Sequence, residues 1–151
     1  MIGSTQTVVD RATSTLIFTR SFAAPPEAIF AAWTEPEQVS AWWDPTGARL
    51  QDCRIDLRVG GAFAFVHRES AHAPPFAGVY RVVNPPTELV FDALGALGTV
   101  KLVAQPGGTH MTVSIRCASP EHLEQFLTFG VKEGTEGTLD NLVGFIAAQG
   151  R

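Results

Sequence analysis

The sequence predicts an α+β domain, a seven-stranded antiparallel sheet curved around one long C-terminal helix, with two short helices after the first strand. Three observations predict it. Between Arg49 and Cys117, short alternating apolar runs are separated by glycine and proline clusters at hairpin intervals. From Ser119 to Ala148 the apolar spacing changes to that of a helix. The 151 residues, 45% of them apolar, suffice for one domain whose core needs no disulfide or metal staple.

The elements follow in order. Residues 1–14 are polar without a clear period and read as a flexible N-terminal arm ahead of a single domain over 15–151. Leu16, Phe18 and Phe22 share one face of the first strand, which Arg20 interrupts. Pro25-Pro26-Glu27 then switches the period, because proline suits a first helical turn and Glu27 its positive end. Ile29, Phe30 and Trp33 recur at helical spacing. A second helix starts at once, with Thr34 as its cap, Pro36 in its first turn, and Val39, Trp42 and Trp43 as its apolar side. Six strand-like runs follow, at 53–59, 62–68, 76–83, 89–94, 99–104 and 110–117, divided by Gly60-Gly61, Pro74-Pro75, Asn84-Pro85-Pro86, Gly95, Gly98 and Pro106-Gly107-Gly108. Ser119 and Pro120 open the last helix. Run unbroken to Ala148 it spans roughly 40 Å, with Gly130, Gly134 and Gly137 as weak points costing about 1 kcal/mol each. A sheet curved around a helix leaves a gap between them, the natural place for a pocket.

Composition excludes several classes. Lys plus Arg is 11 and Asp plus Glu is 15, a net charge of −4 with no basic stripe, so nucleic acid is excluded as a partner. Charged residues are only 17% of the chain, against roughly 25% in an average domain. No apolar run reaches the ~18 residues of a membrane span, and the first residues lack a signal peptide's basic and apolar regions, so a cytoplasmic location is expected. Cys53 and Cys117 have neither metal-ligand nor redox-pair spacing. His67, His72, His110 and His122 show no ligand spacing, so no metal or other cofactor is expected. Neither a nucleophile motif nor a pair of catalytic carboxylates is present, and no catalytic residue is assigned.

Four stretches carry a resemblance. They are Arg20-Ser21-Phe22-Ala23-Ala24-Pro25-Pro26-Glu27; the run from Ala32 through Trp33 and Trp42-Trp43 to Asp44-Pro45; Asp56-Leu57-Arg58-Val59-Gly60-Gly61; and Gly134-Thr135-Glu136-Gly137-Thr138-Leu139-Asp140-Asn141-Leu142. Together they resemble the START-like, helix-grip superfamily, and within it the group named after the ATPase activator of the ninety-kilodalton heat-shock chaperone. The similarity spans about 15–148. Two positions depart from the family pattern: Asp44 stands where glycine is usual, and Thr135 where tryptophan is usual.

The resemblance implies the helix-grip fold and a cavity between sheet and C-terminal helix that binds a small hydrophobic or aromatic ligand. Candidate wall residues are Trp43, Phe63, Phe65, His67, Phe76, Tyr80, Phe126, Phe129 and Gly130. The absence of a cavity above roughly 300 Å³ between helix and sheet would count heavily against this reading. Two other readings stand beside this one. A cyclase- or aromatase-type enzyme would use polar pocket residues such as His67, Arg81 or Asp92. A chaperone-related interaction module would present an exposed patch around Trp42 and Trp43. Chaperone contact rests on analogy alone, since the eukaryotic activator has an additional N-terminal domain. All three readings are compatible with a homodimer. Asp56 and Arg58 read as a structural pair before the Gly60-Gly61 turn.

Overall fold

A computed structural model describes residues 5–68 and 76–149. His72 and Pro74-Pro75 therefore lie outside the described residues. The chain forms β1 (Gln6–Asp10), β2 (Thr15–Phe22), α1 (Pro26–Thr34), α2 (Pro36–Trp42), β3 (Asp52–Ile55), β4 (Ala62–Val66), β5 (Phe76–Asn84), β6 (Glu88–Ala93), β7 (Ala96–Gln105), β8 (Gly108–Arg116), α3 (Pro120–Thr128) and α4 (Val131–Gln149). One antiparallel sheet runs in the order β1-β2-β8-β7-β6-β5-β4-β3. From β3 to β8 it is a meander of neighbouring strands. The pairing of β2 with β8, Leu16 opposite Ile115 and Phe18 opposite Val113, brings the start of the chain to its far end.

Among the described residues the sheet has eight strands where the sequence predicts seven. The extra strand lies inside the expected arm, where Thr7, Val8 and Val9 pair with Phe18, Ile17 and Leu16. Its five residues alternate too weakly to signal a strand, and the backbone edge of β2 supplies what the side chains do not. Thr7 Oγ1 donates to Glu136 and Thr5 Oγ1 to Asp140, tying this edge to α4.

The C-terminal segment is two helices rather than one. Ser119 caps α3 as its sequence suggests, its hydroxyl accepting from the His122 amide at 3.1 Å. Gly130, at φ 78°, then ends the run, while Gly134 and Gly137 continue within α4. Only glycine enters the left-handed region without strain, which is why the break falls there. Gly130→Ala is expected to cost about 1–2 kcal/mol, read as a lower melting temperature.

Smaller differences have similarly local causes. The second helix is entered at Glu35 without a side-chain cap, because the Thr34 hydroxyl turns back to the Phe30 carbonyl at 2.8 Å. The run at 53–59 is strand only as far as Ile55. Asp56 and Arg58 form an exposed ion pair in the turn beyond it, as their structural reading expects. Gly61 is fixed there by contact, since a Cβ would lie 2.1 Å from the Asp56 carbonyl oxygen.

The core lies on the sheet's inner face. Leu16 and Phe18 of β2, Leu89 of β6, Val100 and Leu102 of β7, and Met111 of β8 meet Ile29 of α1, Val39 and Trp42 of α2, and Leu139 and Leu142 of α4. The core does not fill all the space between the sheet and α4.

Candidate functional site

A cavity of about 260 Å³ opens where β6, β7 and β8 face α3 and α4. It falls below the roughly 300 Å³ set by the sequence reading for a ligand cavity, a result that counts against that reading in size while its apolar lining counts for it. Small residues on both walls create it. Ala93 and Ala96 flank the β6–β7 turn, and Gly134 faces them from α4 with no atom within 4 Å of where a Cβ would stand. Gly98 has a different task. It sits opposite Phe91, and a Cβ there would fall 2.5 Å from the Phe91 ring, so the missing side chain lets that ring lie flat as cavity wall. Val113, Ile115, Phe126, Val131 and Leu139 complete an apolar lining, and Trp33, Trp43, Pro45, Phe76 and His67 close the end nearest α2.

The expected wall residues fall into three groups. Trp43, His67, Phe76 and Phe126 line the cavity. Phe63, Phe65 and Tyr80 lie behind them in a packed aromatic cluster, with Phe63 centroids 5.2 Å from Phe65 and 5.1 Å from Tyr80. The space among them is about 10 Å³, too small to hold a ligand. Trp43 divides the two regions, 5.0 Å from Phe65 and 5.1 Å from Phe76. Phe129 and Gly130 are on neither wall. The helix ends at Gly130, so Phe129 leaves the apolar stripe and is 80% exposed. Sequence reasoning passed over Phe91, Val113, Ile115, Thr135 and Leu139. The alternation Leu89, Phe91, Ala93 and the helical spacing of Gly134, Thr135 and Thr138 carried the signal.

The polar groups converge at one end. Asp44, only 5% exposed, follows α2, and its Oδ2 lies 3.0 Å from Nδ1 of His67. Its Oδ1 accepts from the Thr46 amide at 2.9 Å and the Thr46 hydroxyl at 2.8 Å. Burial alone would raise the Asp44 carboxyl, but the Thr46 amide, His67 and the Thr46 hydroxyl outweigh it and hold it below the usual 3.8. Carbonyls at the end of α2 are satisfied from α4. Thr138 Oγ1 donates to the Trp43 carbonyl at 3.0 Å, and Asn141 Nδ2 to that of Asp44 at 2.8 Å. The loop bearing Asp44 is thus fixed from two sides.

The remaining sequence candidates are placed elsewhere. Arg81 sits at a bulge in β5 and pairs with Asp92 on the outer face of the sheet. Arg20 is on the inner face of β2, opposite Met111, with its Nε buried and unbonded, but it does not reach the cavity. His122 accepts from the Ala118 amide at 2.9 Å and packs on Phe126, a structural position at the start of α3. Burial pushes the Cys53 thiol up to about 11 and raises that of Cys117, so neither is a nucleophile in waiting. Among the described residues no three His, Cys, Asp or Glu side chains could hold a metal ion, and no helix is long and apolar enough to cross a membrane.

The depressed Asp44 carboxyl has a measurable sign. Its stabilisation is complete above pH 3.8 and disappears as pH falls through its lower folded-state value. Asp44→Asn is expected to cost about 1–3 kcal/mol at pH 7. Melts from pH 7 down to pH 2 should show the gap between wild type and variant closing at the acid end.

An antiparallel sheet gripping a C-terminal helical segment over an apolar cavity defines a START-like, helix-grip fold. Residues 23–147 match the family described as activator of Hsp90 ATPase homolog 1-like protein, and the chain belongs to that family. A Rhodobacter sphaeroides crystal structure is 26% identical, with TM-score 0.82, over 96% of this chain and 99% of that one. A Mycobacterium smegmatis crystal structure is 24% identical, with TM-score 0.81, over 97% and 99%. The solution structure of an AHSA1-like protein from Aeromonas hydrophila is 24% identical, with TM-score 0.76, over 90% and 94%. No curated protein matches the chain.

Proposed function

We propose that the protein binds a small hydrophobic or aromatic molecule in the cavity between the sheet and α4. The observation that carries this reading is the cavity itself, about 260 Å³ walled by apolar side chains with polar groups gathered at one end. Pockets for small apolar ligands combine those two properties. The low charge content accords with it, because core and cavity wall both need apolar residues. Two free thiols accord with a reducing, cytoplasmic setting.

Native mass spectrometry of freshly purified protein, with extraction of bound material, tests the reading. The expected result is a co-purifying apolar molecule, or binding of one- and two-ring aromatic probes by protein that purifies empty. Protein that is empty and also ignores every probe would overturn it.

The enzymatic alternative, a cyclase or aromatase type, has support from one observation, the Asp44–His67 pair at the cavity end. Arg81 and Asp92 lend it nothing, since they pair with each other on the outer face. The interaction-module alternative looks to Trp42 and Trp43, yet Trp42 is 1% exposed and Trp43 is half-buried against the cavity.

A further inference from the structure

The cavity's polar end is more specific than an apolar pocket requires. His67 borders the cavity with 27% of its side chain exposed, and its Nδ1 is engaged by Asp44. An ionised carboxylate can only accept, so in the neutral imidazole Nδ1 carries the proton and Nε2 is left as an acceptor. Among the described residues nothing bonds Nε2. The carboxylate that sets this tautomer is itself immobilised by Thr46, and its loop by Asn141 and Thr138 of α4. The result is an unengaged acceptor on a ring that borders the space walled by Trp43, Phe76 and Phe91.

Resting on the pocket reading above, we propose that the ligand is a one- or two-ring aromatic alcohol whose hydroxyl donates to Nε2 of His67. Three considerations select this class. The apolar space of about 260 Å³ suits a flat molecule of one or two rings. A ring among aromatic walls gains edge and stacking contacts as well as burial. The buried Asp44 charge adjoining His67 disfavours an anionic head group, which would also lose its hydration on entering apolar walls. A neutral hydroxyl gives the acceptor its missing donor without placing a second negative charge there.

The test compares three probes of one shape, 2-naphthol, naphthalene and 2-naphthoate, titrated against the full chain by calorimetry or tryptophan fluorescence. Wild type should bind 2-naphthol about tenfold more tightly than naphthalene, the worth of one net hydrogen bond, and 2-naphthoate more weakly than either. His67→Phe should bring naphthol and naphthalene level while both still bind. Asp44→Asn, with His67 present but its tautomer no longer set, should narrow the difference partway. Equal binding of naphthol and naphthalene by wild type overturns this inference and leaves the pocket reading standing. Tightest binding of naphthoate overturns it too, by making His67 a donor to anions. Failure of all three probes overturns this inference, and it overturns the pocket reading as well when the protein purifies empty. The wild-type ratio needs no variant, so poor folding of either mutant does not remove the test.

Discussion

Replacing Trp42 with alanine is expected to cost about 3–5 kcal/mol, a large part of the roughly 5–15 kcal/mol that holds a domain folded. The ring is fully buried and lies edge-on to Trp33 at 4.9 Å and to Trp43 at 5.6 Å. Its Nε1 also donates to the Ala32 carbonyl at 2.9 Å, near the end of α1. One side chain therefore fixes the corner between two helices that are too short to persist alone. Chemical denaturation should show the midpoint falling sharply. Trp42→Phe, which keeps most of the ring and loses the donor, should cost about 1–2 kcal/mol. A loss below about 1 kcal/mol for the alanine variant would mean that the corner is held by something else.

Gly134→Leu is expected to do two opposite things. It should abolish ligand binding, with affinity falling at least about 100-fold, and raise the stability of the empty protein by about 1 kcal/mol. The position lines the cavity and has open space where a side chain would grow. Leucine there occupies the ligand's volume, and within a helix it is favoured over glycine by nearly 1 kcal/mol. Gly144→Leu is the control, because Gly144 is exposed on the same helix with open space around it. It should gain similar helix stability and leave binding intact. Probe titrations and thermal melts on the three proteins read both effects. Undiminished binding by Gly134→Leu would place the ligand outside this cavity.

The parts of the fold legible in sequence are those with local periodicity. Alternation along Met111, Val113 and Ile115 marked β8, and Ser119-Pro120 marked the start of α3. β1 was illegible because its partner, the edge of β2, is backbone rather than pattern. The break at Gly130 was visible as a weak point but not as a stop. Gly130, Gly134 and Gly137 look alike in sequence, and only their backbone angles separate them.

The candidate site divides along the same line. Trp43 and His67 are legible because alternation places Phe63, Phe65 and His67 in register and because the family motif contains Trp43. The same argument promoted Phe63 and Phe65, since period two cannot distinguish a cavity wall from the packed layer behind it. The Asp44–His67 pair joins a helix end to a strand end, and no spacing rule links those positions. Asp44 and Thr135, the two departures from the family pattern, both adjoin the cavity, Thr135 on its wall and Asp44 behind His67.

The sheet order also governs how the chain can acquire its shape. Strands β2 and β8 lie side by side although roughly a hundred residues separate them along the chain, and closing so long a loop carries an entropic cost before any contact offsets it. Domains dominated by such distant pairings fold in milliseconds to seconds rather than microseconds. On the ribosome, β2 must wait until the eighth strand has emerged. Until then its apolar residues have no neighbour on that side, and the hollow above β8 has no floor.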